Sequence, residues 1–556
     1  MRREISRLFG MLRGNGRNQV IYYEGNTRHA RNWKELAGDI DGCAARLHAL
    51  HRREGVERVG ILGPTSYQWM VADLACLRAG LRSVAFPEHL PAADIGRLLQ
   101  EHPVELLLVD SRLDTGLVGP AVRQVRYRGA HPEELLRDVE PVELPAPSPD
   151  LVPVDYSTAF SSGTSERVKA IPMRLRDLEP DPPARTLRGK LTAGARYLRF
   201  KRSFWSRKDN RTLFFMPFSH HQQRVFLMSA LFNGIDIVLS DRVSVLKHLI
   251  VEKPNIMVSV PLIYDLLAAR IETKLARLPR WKRLGFRRYN RLRINGWANR
   301  SLVKRACGRI LFHDLRKLYG GRADYFVTGS APISTATLRT FYSIGVKLYQ
   351  GYGLSELGTV ALSTDRDFRI GSVGKPCVQV RIAGDSEILV RFDARVHEPG
   401  TEVDAQGFIH TGDAGSLDED GFLYVLGRLD EVIVLRSGEK VFPAHAETRL
   451  AEHPLLAQSM VLSRDGAALD AIICLRNGAT GDGAAQGAVM AALAEHNRSV
   501  SQNLRIAECL ILPRGFIVEE GLLTGTLKLR RREIARRYAD AAFVRVAAPT
   551  REHAPA

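Results

Sequence analysis

The stretch VGILGPTSYQWMVADLACLRAGLRSVAF runs from Val59 to Phe86 and sets the architecture. Val59-Gly60-Ile61-Leu62 is a short apolar run, which reads as a buried strand. Trp69 to Gly80 reads as a helix that stops at its glycine, a residue able to take the left-handed conformation a helix end requires. Ser83 to Phe86 reads as the next strand, and Glu105 to Val109 as another. Strands alternating with helices imply parallel sheets covered by helices.

Outward from this unit the pattern changes twice. Pro141 to Pro153 is proline-rich and reads as a connector. Gly371 to Tyr424 is rich in Gly, Asp and short β runs, such as Glu387 to Phe392 and Gly421 to Val425, which suggests a small β subdomain. Beyond Arg428 come short strands with two or three helices, so a boundary is expected near Asp430. Pro549 to Ala556 reads as a tail.

The bulk numbers agree with a large folded protein. The chain has 556 residues, 45% hydrophobic and 25% charged, which makes general disorder an unsuitable description. Six cysteines are scattered without a CxxC pair, giving no support to a zinc or redox motif and fitting a reducing compartment. The basic N-terminus has no apolar run of signal-peptide length. No run reaches the roughly 18 residues that a membrane span needs. The expected location is the cytoplasm.

The net charge of +19 is concentrated in two places. Arg185 to Arg211 holds ten Lys/Arg and one acid, Asp209. Lys274 to Arg309 holds thirteen Lys/Arg and no acid, so the rest of the chain is slightly acidic. Both segments carry aromatics, among them Trp205, Trp281 and Trp297. Such segments suit a peripheral contact with anionic lipid or with an acidic protein; the plain alternative is a solvated face. No nucleic-acid-binding module accompanies them, so nucleic acid is not an expected partner.

Five motifs carry chemistry. In Phe160-Ser161-Ser162-Gly163-Thr164-Ser165-Glu166-Arg167-Val168-Lys169, small residues let backbone N–H groups approach phosphate oxygens, and the lysine adds a positive charge. In Tyr349-Gln350-Gly351-Tyr352-Gly353-Leu354-Ser355-Glu356, the glycines bring backbone close to a ligand, the tyrosine can stack on a base, and the glutamate can hold Mg²⁺; the plain reading is a tight turn after a strand. In His410-Thr411-Gly412-Asp413, the carboxylate can accept both hydroxyls of a ribose. Gly427-Arg428-Leu429-Asp430-Glu431, followed by Ser437-Gly438-Glu439-Lys440-Val441, is the fourth. Leu523-Thr524-Gly525-Thr526-Leu527-Lys528-Leu529-Arg530-Arg531 is the fifth, with a lysine in a Thr/Gly-rich loop.

In their order and spacing these motifs resemble the adenylate-forming superfamily of acyl-CoA synthetases, luciferases and peptide-synthetase adenylation domains, from about Ile21 to Tyr538. Met216-Pro217-Phe218-Ser219-His220 with Arg224, and the Lys528 loop, are most similar to the long-chain fatty acid CoA ligases. The resemblance implies an α/β fold. A large N-terminal adenylation domain, 1–428, would hold two α/β sheets and the β subdomain. A small mobile α+β domain, 429–548, would carry the catalytic lysine, and 549–556 would be the tail.

It also implies roles. Ser161, Ser162, Gly163, Thr164, Ser165 and Lys169 would cradle the ATP phosphates. Gly329, Ser330 and Ala331 would line the adenine pocket, and Tyr352, beside Gly353, would stack on the base. Asp413 and Arg428 would hold the ribose, Glu356 the Mg²⁺, and Asp430 would be the hinge. Lys528 would contact the acyl carboxylate and the α-phosphate, and His220 would stand near that carboxylate and the pantetheine channel. The expected reaction is ATP-dependent formation of an acyl-AMP with release of pyrophosphate, then transfer to CoA or to the phosphopantetheine arm of an acidic acyl carrier protein. Two other readings stay open: transfer to an amine, and a catalytically silent ligand-binding homologue. The family's phosphate loop reads Ser-Gly-Thr-Thr-Gly-x-Pro-Lys-Gly; here Glu166, Val168 and Ala170 replace its second glycine, its proline and its last glycine.

Overall fold

A computed structural model describes residues 2–113, 122–127, 134–147, 153–160, 168–174, 209–284, 286, 312–354, 358–364, 367–391, 403–453, 455–476 and 483–546. The chain forms two compact units, Met1–Val258 with Tyr319–Tyr325, and Ser259–Leu318 with Phe326–Ala556.

The first unit contains β1 (Gln19–Glu24), β2 (Thr27–Asn32), β3 (Arg58–Leu62), β4 (Arg82–Phe86), β5 (Leu106–Asp110), β6 (Arg123–Tyr127), β7 (Asp155–Phe160), β8 (Ala170–Arg174), β9 (Arg211–Phe214), β10 (Asp236–Leu239) and β11 (Ile256–Ser259). One sheet runs β6-β5-β3-β4-β7-β8, parallel except for β8. A second run is β11-β9-β10-β1-β2, parallel except for the hairpin strand β2. The expected strand–helix–strand unit is present. Its helix spans Tyr67–Ala79, starting two residues early because the Ser66 hydroxyl caps it by accepting the Trp69 N–H at 3.2 Å. Gly80, at φ 78°, closes it. Every residue of that helix is buried, as expected of an element inside a parallel α/β core.

The second unit contains β12 (Tyr325–Thr328), β13 (Leu348–Leu354) and β14 (Gly358–Leu362), in the order β14-β13-β12. Next comes an antiparallel sheet of β15 (Gln379–Ile382), β16 (Glu387–Arg391), β17 (Ile409–Leu417) and β18 (Leu423–Arg428), the β subdomain expected from composition. β19 (Ile433–Val434) and β20 (Lys440–Val441) form a short ladder. The last sheet has β21 (Leu456–Leu462), β22 (Leu469–Leu475), β23 (Ile506–Leu512) and β24 (Val544–Arg545) in sequence order, with helices Pro443–Leu450, Gly483–Ser499 and Arg531–Arg537. Strand β22 feeds two cores by alternation: Ala471, Ile473 and Leu475 enter one, Ile472 and Cys474 the other. The second of these cores also takes Leu522, Leu523, Leu527 and Leu529, so the loop around Lys528 is rooted by its leucines.

The first unit holds a charged pair in its interior. Arg224 is 1% exposed. Its guanidinium forms an ion pair with Asp73, on the helix Tyr67–Ala79, and donates to the Ser157 hydroxyl at 2.6 Å and to the Ser83 hydroxyl at 3.2 Å. The pair ties the helix His221–Phe232 to β4 and β7. Removing one partner strands a buried charge, so Asp73→Ala is expected to cost about 3–5 kcal/mol of stability. Denaturant unfolding measures it; a loss below about 1 kcal/mol, the range of a surface pair, contradicts this account.

Candidate active site

In the second unit three strands bring one constellation together. Tyr352 lies on β13, Asp413 on β17 and Arg428 on β18, directly opposite Asp413 in the ladder. The Tyr352 hydroxyl donates to Asp413 Oδ2 at 2.8 Å, and Arg428 Nη1 approaches Oδ1 at 3.4 Å. Arg428 also donates to the Thr411 carbonyl at 3.1 Å and, through Nε, to Asp430 Oδ1 at 3.1 Å. Burial pushes the Asp413 carboxyl above its ordinary range, against the opposing pull of Arg428, the Tyr352 hydrogen bond and the Lys528 ammonium.

Local backbone explains the residue types. The Tyr349–Leu354 motif is a strand, β13, with a register shift at Tyr352/Gly353, rather than a turn after one. A Cβ on Gly353 would lie 2.3 Å from the Gly358 carbonyl oxygen, so no side chain fits there. Gly412 takes φ 68° and a Cβ would meet the Arg428 guanidinium at 3.0 Å. Gly329, Ser330 and Ala331 follow β12; Ser330 has φ 68°, a conformation that non-glycine residues adopt at a cost and that clusters at binding sites. Ser330 and Ala331 are exposed.

Lys528 is held by its own loop. The Thr524 N–H donates to the Lys528 carbonyl at 2.8 Å, the Lys528 N–H to the Thr524 hydroxyl at 3.1 Å, and the Leu527 N–H to the Thr524 carbonyl at 2.8 Å. Leu527 has φ 61°, so strain sits immediately before the lysine. Lys528 is half-buried and Asp430 exposed.

In the first unit, His220 is the N-cap of the helix His221–Phe232 and is buried. Phe160, the residue before Ser161, donates its N–H to the Ser219 carbonyl at 3.2 Å and bridges His220. The entry to the expected phosphate loop thus starts beside the histidine. Lys169 is exposed just ahead of β8. Ser161, Ser162, Gly163, Thr164, Ser165 and Glu356 lie outside the described residues, as does most of each basic segment. Among the described residues no group of three or more His, Cys, Asp or Glu is placed to hold a metal ion, and no helix is long and apolar enough to cross a membrane.

Residues 13–400 match the AMP-binding enzyme family, and residues 430–542 match the AMP-binding enzyme C-terminal domain. The chain belongs to the AMP-binding enzymes. A long-chain-fatty-acid–CoA ligase of Mycobacterium bovis is 30% identical, the match covering 91% of this chain and 90% of that protein. In structure, this AMP-binding enzyme is similar to the adenylation domain of a carboxylate reductase from Mycobacterium chelonae, with a TM-score of 0.72 at 18% identity over 96% of this chain and 89% of that one. It is also similar to o-succinylbenzoate CoA synthetase of Bacillus subtilis in complex with its acyl-adenylate intermediate, with a TM-score of 0.66 at 19% identity over 95% and 97% of the two chains.

Two supports of this AMP-binding enzyme's site escaped the sequence reading. Glu387 accepts the Gly412 N–H at 2.8 Å and faces His410 Nδ1 at 2.7 Å, fixing the loop that presents Asp413. It stands 25 positions from Gly412, and only the β16–β17 register brings it there. Arg531, three residues after Lys528, pairs with Glu447 at 2.7 Å and Glu431 at 3.2 Å, fastening the lysine loop to the segment after Arg428.

If Asp413 holds a ribose, it does so as the carboxylate, which can accept two hydroxyls; the protonated acid cannot do so fully. Since burial raises its carboxyl, adenosine affinity is expected to fall as pH drops, with a midpoint above that of an ordinary aspartate. Asp413→Asn is expected to bind weakly and without that pH dependence. Calorimetric titration from neutral to acid pH reads both; parallel profiles for the two proteins contradict the role.

Proposed function

We propose that this protein is an ATP-dependent acid–thiol ligase that activates a carboxylic acid, of fatty or other acyl type, as its acyl-AMP. The observation that carries this reading is the convergence of Tyr352, Asp413 and Arg428 from three strands, in the unit that also roots the Lys528 loop. A carboxylate for the ribose and a cation for the reacting groups thereby meet in one unit. The match with a long-chain-fatty-acid–CoA ligase along nine-tenths of both chains supports the acid and the thiol.

In the first step a carboxylate oxygen attacks the α-phosphorus, the bond to the bridging oxygen breaks, and pyrophosphate leaves with the electron pair. Asp413 and Arg428 hold the ribose, and Tyr352, its hydroxyl committed to Asp413, offers its ring to the base. Gly329, Ser330 and Ala331 border the adenine. Lys528 neutralises charge shared between the incoming carboxylate and the phosphoryl oxygens, the kind of preorganised stabilisation that dominates phosphoryl transfer. The Ser161–Lys169 loop would take the pyrophosphate oxygens, and Glu356 would hold the Mg²⁺ that accompanies ATP, which would offset phosphate charge.

In the second step a thiol sulfur attacks the acyl carbonyl and AMP leaves. His220 is the residue assigned to the acid carboxylate and the incoming thiol. The thiol belongs to CoA or to the phosphopantetheine arm of a carrier protein. Residues 429–548 move about Asp430 between the steps, withdrawing Lys528. The Arg428–Asp430 pair, which spans the boundary at 428/429, is the contact such a movement would rearrange.

Lys528→Ala is expected to slow acid-dependent pyrophosphate release by about 10²–10³-fold. Thioester formation from supplied acyl-AMP is expected to stay near the wild-type rate. Equal losses in the two half-reactions, or none in the first, contradict the assignment.

A further inference from the structure

In the second unit a helical turn begins at Arg280 and presents Trp281 and Leu284, 67% and 65% exposed, three residues apart and so on one face. Phe286 turns the other way, its ring edge-on to buried Phe312 with centroids 5.4 Å apart. The turn is thus pinned at its base while its two large apolar side chains point outward. Cations rim them: Arg280, Lys282 and Arg283 on the turn, Lys274 and Arg277 just before it. Lys282 Nζ lies 5.4 Å from the Trp281 ring centroid. The acids flanking the segment in sequence are engaged, Glu272 with the Thr340 hydroxyl at 2.8 Å and Asp314 with Lys317 at 3.4 Å.

We propose that the Arg280–Leu284 turn seats this enzyme on an anionic lipid surface, with Trp281 and Leu284 entering the headgroup–acyl boundary and the surrounding cations pairing with lipid phosphates. A tryptophan beside a leucine, ringed by Lys and Arg, matches that boundary, where an amphipathic ring and an apolar knob are both satisfied. A bilayer needs no matching pocket, so a single turn suffices. Lys274, Arg277, Arg280, Lys282 and Arg283, in a stretch from Lys274 to Leu284 without an acid, supply the charge complementarity. The proposal rests on the acid-activating function only in giving the docking a purpose: a fatty acid dissolved in the membrane is delivered where it is consumed.

The test is co-sedimentation of the full chain with vesicles of phosphatidylcholine alone and with phosphatidylglycerol added, at low and high salt, for wild type, W281S/L284S and R280E/R283E. Acid-dependent pyrophosphate release with a short, water-soluble acid is assayed on the same samples, and thermal melts confirm that each variant folds. Wild type is expected to bind only the anionic vesicles and to release them as salt rises. Each variant is expected to lose binding by about tenfold or more without loss of pyrophosphate release. Anionic-vesicle binding by W281S/L284S equal to wild type overturns the proposal. So does equal binding to neutral vesicles, or retention on an acidic carrier protein or on RNA with none on vesicles. Because the activity assay runs beside the binding assay, failure of docking and failure of the adenylation reading are separately visible.

Discussion

The hold of Tyr352 and Arg428 on the Asp413 carboxylate is the constraint around which the second unit is arranged. A half-buried carboxylate is costly unless it is hydrogen-bonded and paired. Meeting that cost requires β13, β17 and β18 to deliver their side chains to one point. Backbone geometry follows from it: β14 presses against Gly353, and Arg428 lies over Gly412. Glu387 supports the same point from β16 by accepting the Gly412 N–H. The Asp413 carboxylate is therefore already oriented, and a ligand hydroxyl meeting it would leave little ordering to be done on binding.

The unit that holds this carboxylate also holds the lysine loop near the end of the chain. Lys528 sits in a loop closed by Thr524, strained at Leu527 and anchored by leucines in the core around β22. Its ammonium lowers the Asp413 carboxyl that burial raises. Arg531 grips Glu431 and Glu447, so the lysine loop and the segment after Arg428 are fastened into one piece.

The Val59–Phe86 unit was legible because its signals are local: an apolar run, a helix-length segment and a glycine at the helix end. The β subdomain showed in its Gly, Asp and short β runs. The five motifs could be recognised as a set, although singly each resembles a turn, and the second proved to be a bulged strand. What sequence periodicity does not encode is pairing across long separations. Asp73 and Arg224 are 151 positions apart, and Arg531 and Glu447 are 84 apart. Arg224 and Arg531 stood in recognisable motifs, but their partners Asp73 and Glu447 carried no such signal, and the folding that unites them is a property of the whole chain. Glu387 carries no local signal at all.

The central claim is that the acid's own oxygen attacks the α-phosphate of ATP. Turnover with a carboxylic acid labelled with ¹⁸O in both oxygens, followed by mass spectrometry of the products, tests it directly. The account predicts one ¹⁸O in each AMP and none in pyrophosphate. Label in inorganic phosphate alongside ADP, or AMP without label, would contradict it.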